Sequence, residues 1–328
     1  MTKLSVVIPV YNIEKYLPKC LASVICPELS DYEIIIVNDG STDGSLKICE
    51  EYAAKYPQLI RVITTENSGL GAARNVGLDH AAGDFILFLD SDDYLSPNAL
   101  SEMFELLDKD FDMLFFDIRS VNEEGKLLRY YHGCSVEGVF SLESFPELLF
   151  EMPSAWNKIY RRSLFTENGI CYPPRVWFED MYVTPKLYTL AGKMISVHRP
   201  WHNYLQRSGS ITNSKNAERN REIIPAVNAM LDAYRAAELF EKYQRQLEYS
   251  ALYNQVITSV PRVNLIDRKS AVQDELFEDF RNKFPEYRKN PYLDTMSRKY
   301  KLILFLIEHK MYFELNLLMK VNNKIKGK

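Results

Sequence analysis

The chain has 328 residues, 46% of them hydrophobic and 26% charged, with a net charge of -4 and a pI near 5.9. The length favours about two domains, the composition suits a globular protein with a large core, and the charge supplies no field for nucleic acid. No apolar run approaches the roughly 18 residues of a spanning helix, no secretory leader is read at Met1, and the five scattered cysteines read as free thiols of a reducing cytosol.

Strands are expected at Leu4–Val10, Glu33–Val37, Ile60–Thr64, Phe85–Leu89 and Asp112–Ile118, where short runs are rich in Ile, Val, Leu and Phe. Helices are expected between them near Glu14–Ser23, Ser45–Tyr56, Gly71–His80 and Pro97–Leu107. Alternating β and α elements predict a doubly wound, mostly parallel α/β sheet. Such sheets bind ligands beyond the carboxyl ends of their strands. From Glu151 to Thr212 the sequence turns aromatic-rich and irregular, and after Asn213 it reads as helical throughout. The last segment, Arg298–Lys328, holds eight Lys/Arg against two Glu, 8 - 2 = +6, beside the apolar runs LILFLI and MYFELNLLM.

Four polar clusters fall at the expected strand ends: PVYN (Pro9–Asn12), NDGSTDGS (Asn38–Ser45), ENSGLGAARN (Glu66–Asn75) and DSDD (Asp90–Asp93). Asp39 is an acceptor suited to a base N–H or a ribose hydroxyl, or else a turn aspartate before Gly40. Gly69 and Gly71 allow a close backbone approach to a ligand. Arg74 brings a rigid cationic fork into the next helix, unless it is merely solvated there. The crowded aspartates of DSDD suit a hard divalent cation that also bridges phosphates. Asp92 is the expected ligand, and Asp93 is either a helix cap or a support behind the ligand.

In that order, VVIPVYN, IIIVNDGSTDGS, ENSGLGAARNVGL and AGDFILFLDSDD resemble the inverting family 2 glycosyltransferases of GT-A fold. AWNKIYRRSLF and WFEDMY resemble the branch that assembles bacterial capsule, exopolysaccharide and O-chains. The likeness covers roughly Thr2–Thr212 and implies a catalytic domain over 1–215, with 1–119 binding nucleotide and 120–215 forming the acceptor side and a lid loop. Residues 216–328 are expected to form a helical region. The resemblance implies that Pro9, Tyr11, Asp39 and Asn67 surround the nucleobase, commonly uracil. It places Arg74 near the donor diphosphate, Asp90 and Ser91 at the donor, and Asp92 with Asp90 on Mn2+ or Mg2+. Asn38 departs from the aspartate of many members, but the base-binding carboxylate corresponds to Asp39.

The same resemblance makes Asp180 the base that deprotonates the acceptor hydroxyl, with Glu179 orienting it or touching the donor sugar; both could instead be first-turn helix acids. Pro185 would remove a backbone bond from a helix begun at Asp180. Arg207 and Ser210 lie on a loop resembling a lid over the diphosphate. His198 and His202 read as surface histidines before metal ligands, and Lys158 as a donor or acceptor contact or a structural lysine. The implied partners are a nucleotide-sugar donor, a glycan or lipid-linked acceptor and, through the basic tail, an anionic membrane surface of the cytoplasmic leaflet. A helix packed on the catalytic domain is the tail's other reading. The rival functions are a sugar-nucleotide pyrophosphorylase, which would carry a Gly- and Arg-rich loop where PVYN stands, and a silent nucleotide-binding scaffold.

Overall fold

The computed structural model describes residues 2–207 and 216–325, which fall into two compact units. The first unit, Met1–Phe145 with Glu151–Ser210, carries one mixed sheet. Its first half alternates β1 (Leu4–Val10), α1 (Leu17–Ser23), β2 (Tyr32–Asp39), α2 (Ser45–Lys55), β3 (Ile60–Thr65), α3 (Leu70–His80) and β4 (Phe85–Phe88). There follow β5 (Tyr94–Leu95), α4 (Ala99–Leu107), β6 (Met113–Val121), β7 (Leu127–Tyr131), β8 (Gly138–Phe140), β9 (Lys158–Arg161), α5 (Ser163–Thr166), α6 (Glu179–Tyr188) and β10 (Met194–Leu205).

The strand order is β3-β2-β1-β4-β9-β6-β10-β5, with β7 on β6 and β8 on β10. β1 runs parallel to β2 and β4, and β2 to β3, so the carboxyl ends of all four open on one edge. β1 and β4 are buried along their whole length, which is why they read as apolar runs, with only Ser5 of β1 polar. β9 is antiparallel to both β4 and β6 and so restores β6 to the direction of β4. β10 runs parallel to β6, with a bulge between Val197 and His202. α1 starts at Leu17 and not at Glu14, because Glu14 is engaged with the neighbouring loop: its amide donates to Asp43 and its carboxylate accepts from the Gly44 amide. α4 starts at Ala99 and not at Pro97, because Asn98 is left-handed with φ 64°.

The second unit, Pro146–Phe150 with Ile211–Lys328, is helical among its described residues. α7 (Ile223–Ala236) is followed by α8 (Phe240–Ala251), which passes through a π-helical stretch, Leu252–Thr258, into α9 (Ser259–Ile266). α10 (Val272–Lys283), α11 (Tyr292–Thr295), α12 (Arg298–Glu308) and α13 (Tyr312–Ile325) complete it. Pro146–Phe150 belongs here because Phe150 packs its ring on Tyr249 and Tyr292, at 4.5 and 4.7 Å between centroids, and the Tyr292 hydroxyl donates to Glu147. No helix among the described residues is long and apolar enough to cross a membrane.

Candidate active site

The polar loops at the ends of β1, β2 and β3 are laced together by side chain to backbone bonds. Asn12 accepts from the Thr42 amide at 2.7 Å, and the Asn12 amide donates to Ser41 at 3.1 Å. Asp39 is buried, and its two oxygens accept from the Ser68 and Gly69 amides at 2.7 and 2.8 Å. It therefore holds the loop entering α3, a different role from that of a turn aspartate before Gly40, and keeps further lone pairs for a ligand. Gly69 needs its φ of 90°, and a Cβ on Gly71 would come 2.4 Å from the Pro173 carbonyl oxygen. The protein's own segment 172–175 makes a close approach to both glycines. Tyr11 is half exposed, Pro9 is buried beside it in sequence, and the Asn67 carbonyl accepts from Arg175.

Arg74 rises from α3 with 1% of its surface exposed. Its Nη1 donates to Glu179 at 2.7 Å and to Asp180 at 3.0 Å, and its Nη2 donates to Asp90 at 2.9 Å. The rings of Tyr172 and Phe88 lie against the guanidinium, at 5.3 and 6.0 Å. Glu179 and Asp180 open α6, and Phe178 before them is left-handed with φ 64°. That conformation costs a bulky residue about 1–3 kcal/mol; here it accompanies the turn that brings both acids to Arg74. One guanidinium cannot neutralise three carboxylates. Burial pushes Asp180 up to about 7; Arg74 pulls it down, while Glu179 and Asp90 add to the rise. α6 runs through Pro185 to Tyr188, so the missing backbone bond does not end the helix.

Asp92 accepts from Arg207 Nε at 2.7 Å, and the Arg207 guanidinium lies 5.3 Å from the Tyr16 ring. Burial raises Asp92, as does Asp90, and Arg207 opposes the shift. Ser91 between them is buried. Asp93 is not a cap. It is fully buried, accepts from the Leu205 amide at 2.8 Å, and is hydrogen-bonded to His202 Nε2 at 2.8 Å. Burial pushes Asp93 well above the ordinary carboxylate range and His202 down to about 4, so desolvation disfavours the charged form of each partner. His202 is thus no surface residue: its ring stacks on Trp156 at 4.5 Å. His198 is partly exposed, with Nε2 3.3 Å from the Cys134 carbonyl oxygen. Ser210 lies outside the described residues.

Lys158 is engaged within its own loop. Its ammonium is buried and donates to the Met152 and Ser154 carbonyls, at 3.0 and 2.8 Å, and to Asn157 at 2.5 Å. The loop it gathers carries the Ala155 amide that donates to Asp180, and the Trp156 ring that covers His202. Sequence reasoning missed this bracket, since a backbone amide leaves no residue-type signal. The buried Tyr172 was missed as well, although an aromatic beside a Pro-Pro pair was visible. Among the described residues, three metal-ligating side chains converge at Asp117, His132 and His198, none of which was assigned to the metal.

These loops and this carboxylate cluster sit where an α/β sheet of this kind takes its ligand. The profile described as Glycosyl transferase family 2 matches residues 5–182, more than half of the chain. The chain belongs to that family. Over 221 residues it is 35% identical to glycosyltransferase GlyA of Streptococcus pneumoniae serotype 4, a match covering 64% of this chain and 31% of GlyA. Over 198 residues it is 33% identical to TarS of Staphylococcus aureus, a poly(ribitol-phosphate) beta-N-acetylglucosaminyltransferase, covering 59% of this chain and 34% of TarS. The chain thus spans about a third of each of these relatives. The structure of TarS 1-349 in complex with UDP matches with a TM-score of 0.69 at 23% identity, covering 100% of this chain and 92% of that one. The mannosyltransferase PcManGT from Pyrobaculum calidifontis, solved with GDP-Man and Mn2+, matches at 0.54 and 16% identity, covering 96% and 87%. Both likenesses are of fold.

Proposed function

We propose that the protein is an inverting glycosyltransferase that moves a sugar from a nucleotide-sugar donor, UDP-linked, to a glycan or lipid-linked oligosaccharide of a bacterial surface polysaccharide. One observation carries the reading: Asp180, a carboxylate raised to about 7, shares Arg74 with Asp90 at the ligand-binding edge of the sheet. A group of that pKa suits proton transfer near neutrality. Asp180 takes the acceptor hydroxyl proton as the oxygen bonds the anomeric carbon, while the bond to the diphosphate breaks on the opposite face. Glu179 and Arg74 hold the base in place. Tyr11 offers its exposed ring to the nucleobase, Asp39 its remaining lone pairs, and Arg207 a cation to the diphosphate. The solved TarS complex with UDP supports the choice of donor.

Asp90 and Asp92 fit a hard divalent cation, since they are two partly exposed carboxylates of one turn and each is met here by a guanidinium. They would hold Mn2+ or Mg2+, which when bound offsets charge growing on the departing diphosphate. The test is a set of nucleotide sugars supplied with and without Mn2+, reading release of nucleoside diphosphate. Cation-dependent release from one donor supports the reading, and no release from any donor with acceptor glycans present opposes it.

Attachment to the cytoplasmic face of a membrane rests on α13, where Phe313, Leu317 and Val321 are 62%, 57% and 47% exposed at helical spacing, with Lys310 and Lys320 exposed nearby. Replacing the three apolar residues by Ser should release the protein from anionic vesicles at low salt. Vesicle binding unchanged by that replacement counts against attachment.

A further inference from the structure

Asp117 is a fully buried carboxylate in the middle of β6, between the core residues Phe116 and Ile118. β7 lies antiparallel beside it with Tyr131 opposite Ile118, which brings His132 next to Asp117. On the other side of β6, the bulge of β10 carries His198 between the register positions of Phe116 and Ile118. Three adjacent strands therefore deliver one carboxylate and two imidazoles to one place, with all three ligating atoms within 4.8 Å of one another. We propose that Asp117, His132 and His198 form a transition-metal site for Zn2+ or a similar cation, separate from the carboxylates of the sheet edge.

The distances suit such an ion. His132 Nδ1 stands 3.1 Å from Asp117 Oδ2. Two ligands of one tetrahedral zinc, bound at about 2.0–2.1 Å, lie about 3.3 Å apart. The carboxylate is oriented independently of the histidines: Oδ1 accepts from the Gly133 amide at 2.9 Å, and the Tyr130 hydroxyl donates to Oδ2. Glu137 Oε2 lies 3.8 Å from His198 Nδ1, the side of the ring on which a metal-bound histidine usually meets a carboxylate. That arrangement leaves His198 Nε2 for the ion, in exchange for its contact with the Cys134 carbonyl. The imidazole rings are 4.4 Å apart, and His132 is half exposed, so solvent reaches a fourth position. Two nitrogen donors favour Zn2+, Co2+ or Ni2+ over Mg2+ or Mn2+, the reverse of the preference of Asp90 and Asp92. A bound ion would clamp the β7 hairpin to β6 and β10 and stabilise the folded chain by linkage.

The experiment uses full-length, metal-stripped protein carrying Cys171→Ser, which removes the exposed thiol. It is titrated with Co2+ alone, reading visible d–d absorption, then with Zn2+ in competition, and melting temperatures are taken with and without Zn2+. One equivalent of Co2+ should bind and be displaced by Zn2+, and Zn2+ should raise the melting temperature. His132→Ala and His198→Ala should each weaken Co2+ binding by at least about 100-fold and abolish the Zn2+-dependent rise while melting normally without metal. Asp92→Asn should leave both signals unchanged. Cobalt binding that survives either histidine substitution, is lost with Asp92→Asn, or is absent from the folded parent would overturn the site.

Discussion

Arg74 and Arg207 both hold carboxylates of the same sheet edge, yet they belong to different kinds of region. Arg74 stands in a packed interior, 1% exposed, bonded to acids from the end of β4 and from α6. Arg207 follows β10 at a partly exposed position and meets Asp92 through Nε. The first cannot leave without stranding three acids. The second holds one acid, Asp92, at a position open to solvent. A fixed guanidinium suits the proton-transfer side of the chemistry, which needs geometry held before reaction. A partly exposed one suits the proposed leaving-group side, where a ligand and a cation would have to enter.

The largest effect should come from removing the fixed charge. Arg74→Met is expected to lose about 3–5 kcal/mol in urea unfolding, because buried acids are left without a partner, and to lose transfer activity. Arg207→Met should cost less than Arg74→Met, because one partly exposed acid and not three loses this guanidinium. Equal losses would erase the contrast between the two regions.

Next in size, Asp180→Asn should lower kcat by about 10²–10⁴-fold, and wild-type kcat/KM should fall below an acid limb near pH 7. The folded protein holds the Asp180 proton more tightly than an ordinary aspartate does. That contribution to stability is therefore present in acid and lost as pH rises through about 7. Melting curves should show Asp180→Asn gaining stability relative to wild type at pH 8 and not at pH 4.

Lys158→Met should cost about tenfold in kcat by loosening the loop that carries the Ala155 amide. The acid limb should move upward, because Asp180 loses a donor that favours its ionised form. A drop in melting temperature with an unmoved limb would make Lys158 structural only. The smallest change expected is a few-fold gain in Mn2+ affinity of the ligand-free Arg207→Met protein, read by equilibrium dialysis, since a competitor for Asp92 is gone.

β1 to β4 were legible because each is a short apolar run closed by a turn rich in Gly, Ser, Asn or Asp. Asp90, Asp92, Glu179 and Asp180 were legible as acids in meaningful places. Their meeting on Arg74 was not, since contacts across 105 and 106 positions leave no local period. Asp93 looked like a cap because Ser96 and Pro97 follow it, whereas its partner His202 stands 109 positions away. β10 read as irregular because Ser196, His198, His202 and Asn203 interrupt its apolar pattern. His202 bonds to Asp93, Asn203 to Tyr94 and Ser96, and His198 joins Asp117 and His132, so these three answer to partners distant in the sequence.

The most direct test measures transfer and donor binding together, comparing wild type with Asp180→Asn at pH 8 on the donor that wild type turns over. The account predicts similar donor affinity and nucleoside diphosphate release at least about 100-fold slower in the variant. Wild-type release by Asp180→Asn, with donor bound normally, would contradict the assignment of the base.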